Sequence, residues 1–222
     1  MRLVKLIAAF VLIAITCGAC SQQMGIIGPV ILSQEVQKDS KYPVFWPPKA
    51  GSKYPDLHLT DTSGHGVNLS KFEGRVVLIE EIAMTCGACN AFCGANRSGS
   101  KGAYPGGYSQ KGLPAIDDYL RESGVDISNP NYVKIDLIIY NTRLQAATPE
   151  DARAWCEHFK IVENKNHVVL VGDKSLLGNV TFSMIPGFQL LDKSFVLCSD
   201  SVGHEPKDDL WTVLVPKLKR LL

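Results

Sequence analysis

Residues 73–93 read EGRVVLIEEIAMTCGACNAFC, and this stretch decides the fold. Its first half is a mostly apolar run rich in β-branched residues, which predicts a central strand covered on both faces. Three cysteines follow: Cys86 and Cys89 have C-x-x-C spacing, and Cys93 comes four residues later. The first spacing suggests a redox dithiol, whereas the C-x-x-x-C spacing of Cys89 and Cys93 could hold a metal ion.

The predicted strand ends at Ala83, so Cys86 lies where the next helix begins. Unpaired amide groups and the helix dipole at that position favour a thiolate and lower the pKa of Cys86. Cys89 lies one turn further on, close enough to attack a mixed disulfide formed at Cys86. The consecutive Glu80 and Glu81 point to opposite faces of the strand, and burial makes both carboxylates unusual, although one could be held in a salt bridge.

Outward from this stretch, strands and helices alternate without an internal repeat. A β-hairpin is predicted over residues 56–70, and the glycine-rich residues 94–112 form a long loop that interrupts or shortens the preceding helix. The remaining strands are predicted at residues 132–142, 167–173, 187–192 and 194–200, and helices at 113–123, 148–160 and 208–222, the last kinked at Pro216. The sequence therefore predicts an α/β fold with a central mixed sheet flanked by helices.

The N-terminal residues MRLVKLIAAFVLIAITCGACSQQ combine two basic residues, an apolar run and small residues, which is the layout of an export signal. CGAC-SQQ resembles a bacterial lipobox, with Cys20 as the residue that would be lipidated and Cys17 as the weaker candidate. We therefore expect a signal peptide at residues 1–19, a tether at 20–53 and a folded domain at 54–222. The expected location is the bacterial cell envelope, with a lipid anchor and the domain facing the periplasm.

Two stretches, YPDLHLTDTSGHGVNLSKFEGRVVLIEEIAMTCGAC (54–89) and MIPGFQLLDKSFVL (184–197), resemble the thioredoxin-like superfamily. The likeness is greatest to membrane-tethered extracytoplasmic thiol-disulfide oxidoreductases. It implies a thioredoxin-like fold with an N-terminal β-hairpin extension, Cys86 as nucleophile, Cys89 as resolving cysteine and Pro186 as the cis-proline facing them. Glu80 falls where thioredoxins carry a buried acid that manages protons.

The same resemblance leaves the Ile185 backbone free to pair with an extended substrate segment. It implies protein thiols and disulfides as substrates, a separate redox partner, and no cofactor. Thr85 and Ala88 depart from the usual aromatic residue and proline of the motif, so the redox potential does not follow from the sequence. Cys156 and Cys198 are expected to be structural.

Alternatives remain at the cysteines. Cys93 is either a core thiol or a third redox partner. Copper-delivery proteins of the Sco type share the fold, and Cys89 and Cys93 with His167 or His204 could imitate their ligand set. A merely structural disulfide, a peroxidase and an inactive partner-binding scaffold are further readings. A formal net charge of +1 without a basic run argues against nucleic acid as a partner.

Overall fold

The structure is a computed structural model that describes residues 30–31 and 45–222. The strands in this part of the chain are β1 (Val30–Ile31), β2 (Phe45–Trp46), β3 (His58–Asp61), β4 (Gly66–Asn68), β5 (Val76–Ala83), β6 (Tyr132–Tyr140), β7 (His167–Val171), β8 (Gly187–Leu191) and β9 (Leu197–Val202). The α-helices are α1 (Gly87–Phe92), α2 (Ile116–Glu122), α3 (Pro149–Phe159), α4 (Asn179–Met184) and α5 (Val215–Leu221).

Strands β3 to β9 form one mixed sheet in the order β4-β3-β7-β6-β5-β8-β9. β5 pairs in parallel with β6 and antiparallel with β8, and every residue of β5 is buried. A strand enclosed on both faces needs apolar residues on both, which explains the continuous apolar run. The predicted mixed α/β sheet with an N-terminal β-hairpin is confirmed.

The two faces of β5 pack against different layers. Val76 and Leu78 lie in a core formed with helices α1, α2 and α5. Val77 and Ile79 lie in the other core, which includes aromatic residues from the segment before β3 and from the β8–β9 turn. Since side chains alternate along a strand, Glu80 belongs to the helical face and Glu81 to the opposite face.

The folded domain begins earlier than the predicted boundary at Tyr54. Trp46 is 3% exposed, and its indole Nε1 donates a hydrogen bond to Thr181 Oγ1 at 2.7 Å. Further along, the Gly51 amide donates to the Leu197 carbonyl. A buried aromatic ring with a paired N–H fixes this segment to the domain, so residues 45–53 are not part of a free tether.

The predicted signal peptide, the lipidation site at Cys20, its alternative Cys17 and most of the tether lie outside the described residues. Within the part of the chain that the structure covers, no helix has the length and apolar character to cross a membrane.

Most of the predicted elements are present. Thr148 caps α3 in a capping box with Asp151, and Pro149 occupies the first turn. Residues 94–112 are a loop, and α1 has only 6 residues, as the glycine density predicts. A π-helical segment, Leu210–Leu214, directly precedes α5. Helix α4 was not predicted, because no periodic pattern marks the stretch between the strands predicted at 167–173 and 187–192.

Candidate active site

Cys86 occupies the N-cap of α1, directly after the central strand. Its backbone is extended, and its Sγ accepts a hydrogen bond from the Cys89 amide at 3.4 Å. A hydrogen bond from the Cys89 thiol and those from the Cys89 and Ala88 amides outweigh partial burial and lower the pKa of Cys86 to about 7. A half-buried thiol with this pKa is partly ionised at neutral pH, which is the state that attacks a disulfide.

Cys89 has the opposite character. It is fully buried, and burial raises its pKa well above the ordinary value, with further contributions from Cys86 and from the Glu80 carboxylate. Its Sγ lies 3.8 Å from the backbone carbonyl oxygen of Glu81. The two cysteines are therefore an unequal pair in which one thiol is reactive and the other must be deprotonated before it can act.

The Glu80 carboxylate lies behind these thiols and is 1% exposed. Its Oε2 is 3.2 Å from the ammonium of Lys134, which is itself buried on the neighbouring strand β6. Burial raises the pKa of Glu80 to about 8, with Lys134 opposing the shift and Asp136 adding to it. Glu80 can thus gain or lose a proton close to neutral pH, as a group that serves Cys89 must.

Asp136 and His167 extend this arrangement along the sheet, and their connection to Glu80 was not predicted from the sequence. Lys134 Nζ lies 2.7 Å from Asp136 Oδ1, and Asp136 Oδ2 lies 2.8 Å from His167 Nε2. A signal for this connection is present in the sequence, because the predicted core strand 132–142 contains Lys134 and Asp136. Burial would raise the pKa of Asp136, but Lys134 and His167 outweigh it and hold this pKa well below the usual range.

A cleft of about 710 Å³ opens beside this row of charges. Lys134, Asp136 and His167 line it, together with Cys93 and residues that follow α3. The cleft lies next to the end of α1, where the glycine-rich loop replaces further helical turns. The His167 side chain, 16% exposed, reaches solvent at this cleft, whereas Lys134 and Asp136 are buried.

The glycine-rich loop folds back over the cysteine motif. The buried Asn90 side chain donates to the Cys86 carbonyl at 2.8 Å and accepts from the Tyr104 amide at 2.7 Å, so it ties the loop to α1. The ring of Tyr108, 66% exposed, lies against Gly87 so closely that a Cβ on this glycine would be 2.1 Å from the ring. The exposed aromatic residue beside Cys86 thus comes from the loop and not from position 85.

The Ile185–Pro186 peptide bond is cis, as the resemblance implied. Gly187 follows and pairs with Glu81 across β5 and β8. A Cβ at Gly187 would lie 2.6 Å from Glu81 Oε2 and 2.5 Å from the Met184 carbonyl oxygen. Only glycine therefore leaves room for the buried Glu81 carboxylate beneath this loop.

Cys93 ends α1 and is buried. Burial raises the pKa of Cys93 well above the ordinary value, and the Glu80 carboxylate raises it further. Cys93 is therefore a protonated, unreactive thiol at neutral pH. Within residues 45–222, no group of three or more His, Cys, Asp or Glu side chains is arranged to hold a metal ion. Of the copper-ligand candidates, His167 is engaged by Asp136, and His204 is exposed after β9.

All five cysteines of the described chain are free thiols. Cys156 lies on α3 and Cys198 on β9, each partly buried. Burial raises the pKa of Cys156 to about 12 and that of Cys198 to about 11. Neither provides a reactive thiolate at neutral pH, which agrees with their predicted structural role.

The sequence matches no protein-family profile and no curated protein. Among solved structures, it is similar to a protein assigned as a disulfide isomerase from Bacteroides thetaiotaomicron, with a TM-score of 0.52 and 16% identity over 79% of this chain and 91% of that chain. The thioredoxin domain of a thiol-disulfide oxidoreductase from Bacteroides vulgatus gives a TM-score of 0.48 at 18% identity, covering 77% and 98% of the two chains.

BsSco, a member of the Sco family of cytochrome c oxidase assembly proteins, gives a TM-score of 0.45 at 14% identity, covering 79% of this chain and 96% of that chain. At these identities the comparisons establish the fold and leave the chemistry to the site itself. The cysteine motif therefore follows the central strand of a thioredoxin-like fold.

Proposed function

We propose that this chain is a thiol-disulfide oxidoreductase that exchanges electrons with protein disulfides through Cys86 and Cys89. The observation that carries the proposal is the contrast between the two thiols: Cys86 has a lowered pKa and partial exposure, whereas Cys89 is buried behind it with a raised pKa. A structural disulfide needs no such contrast, whereas an exchange reaction needs one attacking and one resolving thiol.

The reaction begins when the Cys86 thiolate attacks one sulfur of a substrate disulfide. This forms a mixed disulfide and releases the first substrate thiolate. Cys89 then attacks Cys86 Sγ, which forms the Cys86–Cys89 disulfide and releases the second substrate thiolate. The proton lost by Cys89 passes to the Glu80 carboxylate, and the reverse sequence oxidises a substrate dithiol.

Substrate binding is assigned to the surface beside Cys86. Tyr108 and Phe182 are exposed aromatic residues, Tyr108 against Gly87 and Phe182 in α4 just before the Ile185–Pro186 loop. An extended segment of a disulfide-bonded protein can place an apolar side chain there and donate to the Ile185 carbonyl. The Ile185 amide, which the resemblance left free, already donates to the Phe182 carbonyl. We infer protein substrates, because the exposed side chains of Tyr108 and Phe182 form an open surface, which cannot enclose a small molecule.

Trapping and alkylation test the activity. With Cys89→Ala, the full chain should accumulate mixed disulfides with protein substrates, and Cys86→Ala should accumulate none. In the reduced chain, alkylation by iodoacetamide should label Cys86 first, with a rate that rises through pH about 7. Initial labelling at Cys93 or Cys89 would refute the assignment of Cys86 as the nucleophile.

We also propose that the protein is exported and anchored to the bacterial cell envelope through lipidated Cys20, with the domain facing the periplasm. The support is the N-terminal sequence: Arg2 and Lys5, an apolar run, then Gly18 and Ala19 before the cysteine. Incorporation of a labelled fatty acid should disappear in Cys20→Ser. Incorporation that persists there but disappears in Cys17→Ser would move the site.

A further inference from the structure

The Lys134 ammonium is shared among three carboxylates, of which Asp117 is the most distant. The ammonium lies 2.7 Å from Asp136 Oδ1 and 3.2 Å from Glu80 Oε2, with Asp117 Oδ1 at 3.9 Å. Asp136 has a second partner, because its Oδ2 lies 2.8 Å from His167 Nε2. The row crosses three adjacent strands, with Glu80 opposite Asp136 and Lys134 opposite His167 in the strand registers.

We propose that Asp136 and His167 are positioning residues that set how strongly Lys134 stabilises the ionised form of Glu80. They would thereby set the pH at which Glu80 can take the proton of Cys89, a role that rests on the proposed oxidoreductase function. Neither residue touches the reacting sulfur atoms. Both act through Lys134.

The physical argument is a competition for one cation in a region of low dielectric constant. While His167 donates a hydrogen bond to Asp136, part of the charge on that carboxylate is satisfied, and Lys134 remains available to Glu80. Without this donor, Asp136 holds Lys134 more strongly, and ionised Glu80 loses stabilisation. Without the charge of Asp136, Lys134 is shared only between Glu80 and the more distant Asp117, and the repulsion between Asp136 and Glu80 disappears.

Removal of Asp136 and removal of His167 should therefore shift the ionisation of Glu80 in opposite directions. Loss of Asp136 should favour ionised Glu80, whereas loss of the His167 donor should favour protonated Glu80. If the contact served only to hold β6 against β7, both losses would disturb Glu80 in the same way. The sign of the change thus separates positioning from a structural role.

The His167 side chain reaches solvent at the 710 Å³ cleft, where it is 16% exposed. Other ionisable groups from each neighbouring element border the same cleft as His167. They are Lys134 and Asp136 of β6, Asp117, Asp118 and Arg121 of α2, Cys93 and Arg97 after α1, and Lys160 and Lys165 between α3 and β7. Arg97 and Arg121 both pair with Asp118 at the exposed rim, where water screens their charges. The buried Lys134 and Asp136 therefore affect the Glu80 carboxylate more strongly than the ion pairs at the exposed rim do.

The experiment is a titration of Glu80 in the reduced full chain, with ¹³C-labelled glutamate carboxyl groups observed by NMR. The Glu80 signal is identified by its loss in Glu80→Gln. In Asp136→Asn the titration midpoint should fall by about one pH unit, and in His167→Phe it should rise by about half a unit. His167→Gln, whose amide can donate from nearly the same position as Nε2, should remain close to wild type.

His65→Phe is the matched control, because His65 is exposed in the β3–β4 turn and should leave the midpoint unchanged. Opposite shifts in Asp136→Asn and His167→Phe support the inference, and shifts of the same sign or no shift in either variant overturn it. The titration requires no substrate, so it tests this inference even if the chain fails to exchange disulfides. In the exchange reaction, the pH dependence of Cys89 attack should move with the same signs.

Discussion

Glu80 and Glu81 are neighbours in sequence, and both are buried in the middle of the sheet, yet their surroundings differ. On the helical face, the Glu80 carboxylate meets the Lys134 ammonium. On the opposite face, the titratable groups that act on the Glu81 carboxylate are the carboxylates of Asp200 and Glu80, and no cation is among them. One strand therefore carries a compensated acid and an uncompensated acid side by side.

This difference separates two ways of keeping a carboxyl group inside a protein. Glu80 is held by a cation, so both of its protonation states are accessible and its pKa is about 8. At Glu81, burial and the like charges of Asp200 and Glu80 outweigh a backbone hydrogen bond, raise the pKa well above the ordinary value and favour the neutral acid. A group that must exchange a proton with Cys89 needs the first arrangement, and Glu81 instead contributes its backbone carbonyl near that thiol.

The largest expected effect comes from removal of the cation on the helical face. Lys134→Met should lower the free energy of unfolding by about 4 kcal/mol, because it leaves Asp136 and ionised Glu80 without their buried partner. Urea denaturation at pH 8.5 measures the loss. The control is Lys111→Met, an exposed lysine in the glycine-rich loop, which should change stability little. Equal effects of the two substitutions would contradict the role given to Lys134.

Next in size is the kinetic contrast between the two acids. Glu80→Gln should slow the attack of Cys89 on the mixed disulfide on the order of 100-fold at pH 8.5, where Glu80 is ionised. The effect should shrink below pH 7, because wild-type Glu80 is then mostly protonated and also unable to accept a proton. Stopped-flow measurement of mixed-disulfide decay gives the rate. Glu81→Gln is the matched control and should change it less than about threefold.

Stability should show the reverse contrast. The folded chain keeps Glu81 protonated above the ordinary pKa, while the unfolded chain ionises there, so rising pH favours the unfolded state. Glu81→Gln removes this loss and should raise the free energy of unfolding by about 2 kcal/mol at pH 8, with little change at pH 4. Urea denaturation at both values decides. A gain of the same size at pH 4 would place the cause outside this titration.

The sequence predicted what depends on local pattern. The period of a buried strand, the start of a helix and the spacing of cysteines are local, so the positions of β5, Cys86 and Cys89 followed, as did the placement of Glu80 and Glu81 on opposite faces. The density of glycines in residues 94–112 also predicted the loop and the short α1.

Long-range placement did not follow from the sequence. The partner of Glu80 depends on the register between β5 and β6, which joins residues far apart in sequence. The return of Tyr108 to Gly87 depends on the path of a loop whose glycines permit many paths. Trp46 lies in a proline-bearing segment without periodicity, so nothing local marked its burial against α4. These contacts became visible only in three dimensions.

The smallest expected effect compares two buried tyrosines, one on each face. Tyr54 Oη lies on the Glu81 side and donates a hydrogen bond to Gln189 Oε1 at 2.6 Å, whereas Tyr132 Oη lies on the Glu80 side and has no hydrogen-bond partner in the described part of the chain. Tyr54→Phe should therefore cost about 1 kcal/mol of the free energy of unfolding, because the Gln189 oxygen loses its donor inside the protein.

Tyr132→Phe removes a hydroxyl that is desolvated without compensation, so it should leave stability unchanged or raise it slightly. Urea denaturation of both variants at pH 6 makes the comparison, since Glu80 is mostly protonated there and the charge on Lys134 is balanced by Asp136 and Asp117. The same loss in both variants would mean that the hydroxyl of Tyr132 is satisfied in solution, by water entering from the cleft that it borders. Polar partners on the helical face of the sheet would then include Tyr132 as well as Glu80. The difference in polarity between the Glu80 face and the Glu81 face would be larger than the contacts of Glu80 alone indicate.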